Sequence, residues 1–357
     1  MSNLFDYLDW KGDASFREEP LNGVDALCFA ELSYADVWEN ATGERHVTIK
    51  ETARTHPLPE RLPDTLKARY HRLMQAMAET DRFGGITACS YVSILDPKIG
   101  IQFAAVCFDV PDGARVVSFR GTDATMVGWR EDFSMAYECP VPAQVAAAHY
   151  LTLVGQDTEK SLILTGHSKG GNLAAYAAVH APLEMQAKIQ AVWSFDSPGL
   201  DDASLASEGY RRIRERMHSV VPEASLIGLL LGRTSQPTII HSTGTGLYQH
   251  DPFTWQLLQP GVWDEADGTT LLSKVAEVSL QEAMRRVEPA QRKAIIEKVF
   301  KIAEASGATT TAELRTRLKP AALLAPLRDI DLESGINRVK QRIFGGDQDG
   351  NENHGNQ

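Results

Sequence analysis

Up to about Pro260, short apolar runs bounded by turn residues alternate with segments whose apolar positions recur at helical spacing. Leu162-Ile163-Leu164 leads into Gly166-His167-Ser168-Lys169-Gly170-Gly171, and an Ala-rich stretch of strong helix formers follows without a proline until Pro182. That order predicts a strand, a sharp turn and a helix. Ile101 to Val110 and Arg115 to Arg120 read as two further strands, separated by the turn signal Pro111-Asp112-Gly113. Ile189 to Phe195 is another buried-type run, closed by Asp196-Ser197-Pro198-Gly199, and Thr238 to His241 is a last strand candidate. Helices are expected over Ala26 to Leu32, Ala143 to Leu153 and Tyr210 to Met217. Another is expected over Leu66 to Glu79, where Leu66, Tyr70, Leu73 and Met77 share one face behind the start signal Pro63-Asp64-Thr65. Glu44 to Pro63 is polar and broken by Pro57, Pro59 and Pro63, so it reads as a connecting loop. Strands alternating with helices imply an α/β protein whose sheet is mostly parallel and covered on both faces.

Beyond Pro260 the pattern changes. Leu271 to Ala303 and Ala312 to Leu318 are helix-patterned and charged, with no strand signal, and GGDQDGNENHGNQ at the end has no apolar residue. The expected organisation is an α/β domain over residues 1–265, a helical C-terminal appendage over 266–344 and a disordered tail over 345–357. Charge narrows the partners: 36 basic against 47 acidic residues give a formal charge of −11, with no basic stripe. Nucleic acid and anionic lipid surfaces are therefore poor expectations as partners. No segment approaches the length of an apolar membrane span and the N-terminus lacks a secretory pattern, so no integral membrane segment and a cytoplasmic location are expected. Cys28, Cys89, Cys107 and Cys139 are widely spaced, which fits buried small hydrophobes and no metal site.

Chemistry enters with Gly166-x-Ser168-x-Gly170. Between a buried strand and a small-residue helix, this is the pattern that puts a serine on a strained turn with its hydroxyl exposed above a sheet. A serine hydroxyl is a weak nucleophile at neutral pH and needs a base, held in turn by a carboxylate. After Ser168 the candidates are His180, His218, His241 and His250. His180 falls about three turns along the helix, and His218 and His241 belong to apolar strand-like runs. His250 lies in a loop after a strand, in Tyr248-Gln249-His250-Asp251-Pro252-Phe253, and is the expected base. Asp196 ends the next strand of the sheet and would emerge on the same edge as Ser168, so it is the expected acid, with Asp201, Asp202 and Glu223 as competitors. A tetrahedral intermediate also needs hydrogen-bond donors for its oxyanion. The backbone N–H of Lys169 is one expected donor, and the strand end at Gly121-Thr122 supplies the other.

These residues carry a family resemblance. Phe119-Arg120-Gly121-Thr122, then Gly128-Trp129 with Asp132, then Thr165 to Gly171, resemble the class 3 lipase pattern. The GHSKGGNLA elbow, the SFDSPG strand end, the Ser225 to Leu231 apolar segment and QHDPFTW are similar to a group of bacterial lipase-like proteins, the Mbeg1-like group. Asn3 to Leu8 and Ala30-Glu31-Leu32-Ser33-Tyr34 resemble it as well, so the likeness runs over roughly residues 3–260. The resemblance implies an α/β-hydrolase fold, no cofactor, Thr122 in the oxyanion hole, Ser168 as nucleophile and His250 as base. Class 3 lipases usually carry their acid just before a Val-Pro, whereas Ser219-Val220-Val221-Pro222 has no carboxylate there. Asp196 or Glu223 must then fill the role. The expected activity is cleavage of a lipid or other small acyl ester through an acyl-enzyme. An inactive interaction protein with this fold and an acyltransferase or thioesterase using the same residues are the alternatives.

Overall fold

The apolar runs line up side by side in one eight-stranded sheet whose strand order follows the chain. A computed structural model describes residues 2–43, 45–59, 65–111, 113–123, 125–135, 137–225, 234–269 and 289–306. The strands are Val47–Thr48 (β1), Thr87–Asp96 (β2), Ile101–Asp109 (β3), Ala114–Phe119 (β4), Ser161–His167 (β5), Ile189–Phe195 (β6), Met217–Pro222 (β7) and Thr238–Ile240 (β8). Neighbours from β1 to β4 pair antiparallel, and those from β4 to β8 pair parallel.

Parallel neighbours need crossovers long enough to return the chain to the same edge, and helices provide them. Helices Leu4–Lys11 (α1), Gly23–Leu32 (α2), Ile49–Thr55 (α3) and Leu66–Ala78 (α4) precede the long strands. Met126–Ser134 (α5) and Pro142–Gln156 (α6) connect β4 to β5, Lys169–His180 (α7) and Leu183–Lys188 (α8) connect β5 to β6, and Asp202–Ala206 (α9) and Glu208–Ile213 (α10) lead to β7. Strand residues point alternately to the two faces, which divides the core in two. Ile163, Val116 and Phe195 pack with Phe29, Trp38 and Phe83 on one face, while Leu162, Leu164 and Val192 pack with Leu151, Leu173 and Ala174 on the other. A sheet covered this way buries its central strands outright, and β3 buries its first eight residues.

Several elements depart from the sequence expectation. The polar stretch read as a loop holds β1 and α3, and α3 is started by a capping box: the Glu51 N–H donates to Thr48 Oγ1 at 3.1 Å while the Thr48 N–H donates to Glu51 at 2.9 Å. The second strand was not expected, because three successive residues, Ser93, Ile94 and Leu95, are exposed and a bulge between Cys89 and Val92, with Ser90 at φ 55°, breaks its alternation. Helix α1, capped by Asn3, and helix α5 were also unexpected. The expected helix from Tyr210 to Met217 is instead α10 followed by a turn of 3₁₀ helix, and Met217 already belongs to β7. Cys139 is exposed, against the expectation that all four cysteines are buried.

Within the stretch expected to be a helical appendage, Pro289–Ala305 is a helix whose Phe300 ring meets Phe133 of α5 edge-on, centroids 6.0 Å apart. Residues 270–288, the helix expected at Ala312 to Leu318, the tail over 345–357, and residues 226–233 of the apolar segment lie outside the described residues. Among the described residues no helix is long and apolar enough to cross a membrane.

Candidate active site

Strand β5 delivers the chain to Ser168, which turns at φ 57° and ψ −131° before α7 begins at the next residue. A non-glycine residue in this region is strained, and such strain persists only where neighbours fix it. Here the Ser168 N–H donates to the Phe195 carbonyl at 2.9 Å. The flanking glycines let strand and helix touch: a Cβ on Gly166 would run into the carbonyl group of Gly170, and one on Gly170 into the carbonyl oxygen of Phe119.

Asp196 stands at the end of β6, one strand over, with φ 38° and its N–H donated to the Val220 carbonyl at 2.9 Å. Its carboxylate is buried, at 1% exposure, and is held from two sides. The Ser225 hydroxyl donates to Oδ1, and Nδ1–H of His250 donates to Oδ2 at 2.6 Å. An imidazole that donates through Nδ1 keeps a lone pair on Nε2. That nitrogen is 3.0 Å from Ser168 Oγ. The structure therefore brings Ser168, His250 and Asp196 into one hydrogen-bonded line. The competing groups are elsewhere: Glu223 lies 3.4 Å from His241, Asp201 takes the Cys139 thiol, His180 stacks on Tyr176, and His218 stacks on Trp193.

Thr122 follows β4 beside the elbow, and its hydroxyl donates to the carboxylate of Asp132 in α5. Burial pushes the Asp132 carboxyl up to about 6, with the Glu131 charge adding to the rise and Lys169, Thr122 and His250 opposing it. Lys169 is the first residue of α7, where backbone N–H groups have no partner inside the helix. Its side chain turns the other way, into the protein. The ammonium donates to the Gln102 carbonyl at 2.9 Å, to Gln102 Oε1 at 2.6 Å and to Glu131 Oε2 at 3.1 Å. Glu131 also accepts from the N–H groups of Ala143 at 2.8 Å and Gln102 at 3.1 Å.

The sequence pattern assigns no role to Ser225, Glu131 or Gln102. A lysine inside an otherwise small and apolar elbow was a usable signal for Glu131, since a buried ammonium demands an acid. Nothing local marks Ser225. Potential metal ligands come together among the described residues at His46, Cys89 and Asp109, within 4.8 Å of one another. Asp109 is already held by Arg115 at 2.7 and 3.0 Å and by Lys160 at 3.4 Å, so cationic side chains occupy the place of a cation.

A central sheet that turns from antiparallel to parallel and carries a strained serine between strand and helix defines an α/β-hydrolase fold. Residues 77–301 match the model of the Mbeg1-like family, and the chain belongs to that family. A comparison with curated proteins finds no match. Solved structures similar to the chain include the M37 lipase, at 14% identity and a TM-score of 0.37, covering 58% of this chain and 70% of that one. The Lip2 lipase of Yarrowia lipolytica is similar at 11% identity and a TM-score of 0.37, over 69% of this chain and 88% of that one. A lipase of Rhizopus microsporus var. chinensis is similar at 11% identity and 0.37, over 65% and 83%.

Proposed function

We propose that the protein is a serine hydrolase that cleaves a carboxylic ester, a lipid or another small acyl ester, through an acyl-enzyme. The observation that carries this reading is the line from Asp196 through His250, 2.6 Å on one side of the imidazole and 3.0 Å on the other, to Ser168 Oγ. In the proposed reaction Ser168 Oγ attacks the acyl carbon while its proton passes to His250 Nε2. Asp196 steadies the imidazolium that forms, and the Ser225 hydroxyl keeps its carboxylate oriented. The carbonyl oxygen becomes an oxyanion, held by the backbone N–H of Lys169 and by Thr122. Each such donor is worth on the order of a hundredfold or more in rate. Collapse expels the alcohol with the proton from His250. Water then attacks the acyl-enzyme by the same route, returning its proton to the regenerated Ser168.

No step in this sequence calls for a cofactor or a metal. The test is labelling by a fluorophosphonate probe, which reports an activated serine whatever the natural ester is. Wild type should label, and Ser168→Ala and His250→Ala should not. A folded wild-type protein that fails to label, or labelling that survives in Ser168→Ala, overturns the reading.

A further inference from the structure

Glu31 is the least explained group near the site. It sits in α2 with 0% exposure, and neither carboxyl oxygen makes a well-formed hydrogen bond among the described residues. Nδ1 of His167, the residue before the elbow serine, lies 3.3 Å from Oε1. The other nitrogen of that ring, Nε2, lies 3.0 Å from the backbone carbonyl of His250. The two imidazoles are neighbours, with centroids 4.6 Å apart and planes tilted by 36°.

Counting protons leaves two states for the Glu31–His167 pair. A carbonyl only accepts, so Nε2 of His167 carries the hydrogen toward His250. A neutral imidazole protonated there has only a lone pair on Nδ1. A carboxylate facing a lone pair would set two acceptors against each other in a dry site, so the carboxyl of Glu31 must supply the hydrogen as a neutral acid. The alternative, a carboxylate against an imidazolium, puts a fixed positive ring beside the ring of His250, which must itself become positive during turnover. Other charges nearby point the same way. Burial raises the Glu31 carboxyl, and the Asp251 carboxylate, itself 2.5 Å from Arg69 of α4, raises it further. Burial and the neighbouring His250 lower the His167 imidazole. Tyr34, whose hydroxyl donates to the His167 carbonyl at 3.2 Å, stacks on Tyr70 of α4 at 4.8 Å, and burial raises both phenols. Cys28, on the same helix as Glu31, is raised by burial.

We propose that Glu31, as a neutral acid, is a positioning residue: it donates to His167 Nδ1, and His167 donates in turn to the main-chain carbonyl of His250, fixing that histidine against Ser168. The proposal rests on the hydrolase reading only in the consequence it assigns to His250. Helix α2 and strand β5 are rigid elements, whereas His250 belongs to a short 3₁₀ turn, Gly246–His250, so the relay ties a loop to the core.

The test compares Glu31→Gln, whose amide N–H still donates to Nδ1, with Glu31→Leu, which keeps the volume and removes the donor. Rates of fluorophosphonate labelling are expected to stay near wild type for Glu31→Gln. They are expected to fall by roughly tenfold to a hundredfold for Glu31→Leu, with circular dichroism unchanged. Equal rates for Glu31→Leu and wild type overturn the relay, and so does a Glu31→Gln variant as slow as Glu31→Leu, because that would require an ionised Glu31. Nitrogen NMR of His167 in the wild-type protein is the second readout, needing neither turnover nor a stable variant. A neutral ring protonated on Nε2 at neutral pH supports the proposal; an imidazolium or the Nδ1–H tautomer overturns it. A wild type that does not label removes the hydrolase reading and leaves this spectroscopic result to judge the relay.

Discussion

The ammonium of Lys169 lies 3.1 Å from the carboxylate of Glu131, and both side chains are sealed from water at 1% exposure. The pair joins the start of α7 to α5 and, through Gln102, to β3. One residue thus has two separate duties. Its backbone N–H stands at the open end of α7, next to the elbow serine, while its side chain fastens the elements beneath.

That separation makes Lys169 a test of stability rather than of chemistry. In Lys169→Met the ammonium is lost and Glu131 stays buried, still accepting from the N–H groups of Ala143 and Gln102. Removing one member of a buried pair typically costs about 3–5 kcal/mol, because the remaining charge is uncompensated. Urea unfolding should show a correspondingly lower midpoint with an unchanged slope. A midpoint equal to wild type would mean the pair is not buried as described.

Asp132 supplies a pH signature. Its carboxyl is raised from an ordinary 3.8 to about 6 by burial, so the folded protein holds that proton more tightly than the unfolded chain does. Between those two values the native state binds more protons, and stability must therefore fall as pH rises through that window and level off above it. In Asp132→Asn this contribution disappears. The difference in melting temperature between wild type and variant, followed from pH 4 to pH 7, should shrink or change sign as pH increases. A pH-independent difference would show that Asp132 is not perturbed.

Ser225 should matter to the rate and little to the fold. Its hydroxyl donates to Oδ1 of Asp196, leaving Oδ2 for His250. A hydrogen bond to a charged group is worth about 1.5–3 kcal/mol, and losing it lets the carboxylate rotate away from the imidazole. On the proposed mechanism, Ser225→Ala lowers fluorophosphonate labelling by about tenfold or more, while Ser225→Thr retains most of it. Labelling of Ser225→Ala at the wild-type rate would separate this hydroxyl from the reaction.

Where the sequence was legible, the information was local. The apolar run of β6 from Ile189 to Phe195 coincides with the observed strand, and the turn at Ser168 follows from glycines whose absent side chains are required by contact with neighbouring backbone. Strand order along the chain then put Asp196 on the right edge, and the loop position of His250 let it reach between them. The part that stayed hidden depends on packing at long range. The carboxyl of Glu31 meets a ring on another element, Ser225 finds Asp196 across 29 residues of chain, and Glu131 meets Lys169 across 38. Around Glu31 and Ser225 nothing in the neighbouring sequence distinguishes a buried polar group from an exposed one, and Lys169 inside the elbow calls for a buried acid without saying which one. The second strand was missed for the opposite reason: it is bulged after Cys89 and runs through three successive exposed residues, Ser93, Ile94 and Leu95, so burial does not follow the period of a strand.

The N-terminal layer that presents Glu31 to the site depends on a second buried pair, Asp25 and Arg82, both at 0% side-chain exposure. The guanidinium forks onto the carboxylate, with Nε at 2.8 Å and Nη2 at 2.6 Å, and its Nη1 donates to the carbonyls of Ala14 at 2.8 Å and Glu19 at 3.1 Å. Tyr7 of α1 donates to the same carboxylate at 2.7 Å. Arg82 therefore ties α1, the segment before α2, and α2 itself to the chain entering β2. Replacing it by methionine leaves the buried Asp25 carboxyl without its cationic partner and should cost about 3–5 kcal/mol. In Arg82→Met combined with Asp25→Leu the stranded carboxyl is gone, so the double variant should be destabilised by less than the sum of Arg82→Met and Asp25→Leu measured singly. Such a shortfall is the signature of direct coupling between two contacting residues. Equilibrium unfolding of the four proteins in the cycle measures it, and strict additivity would mean that Arg82 and Asp25 stabilise this layer independently of each other.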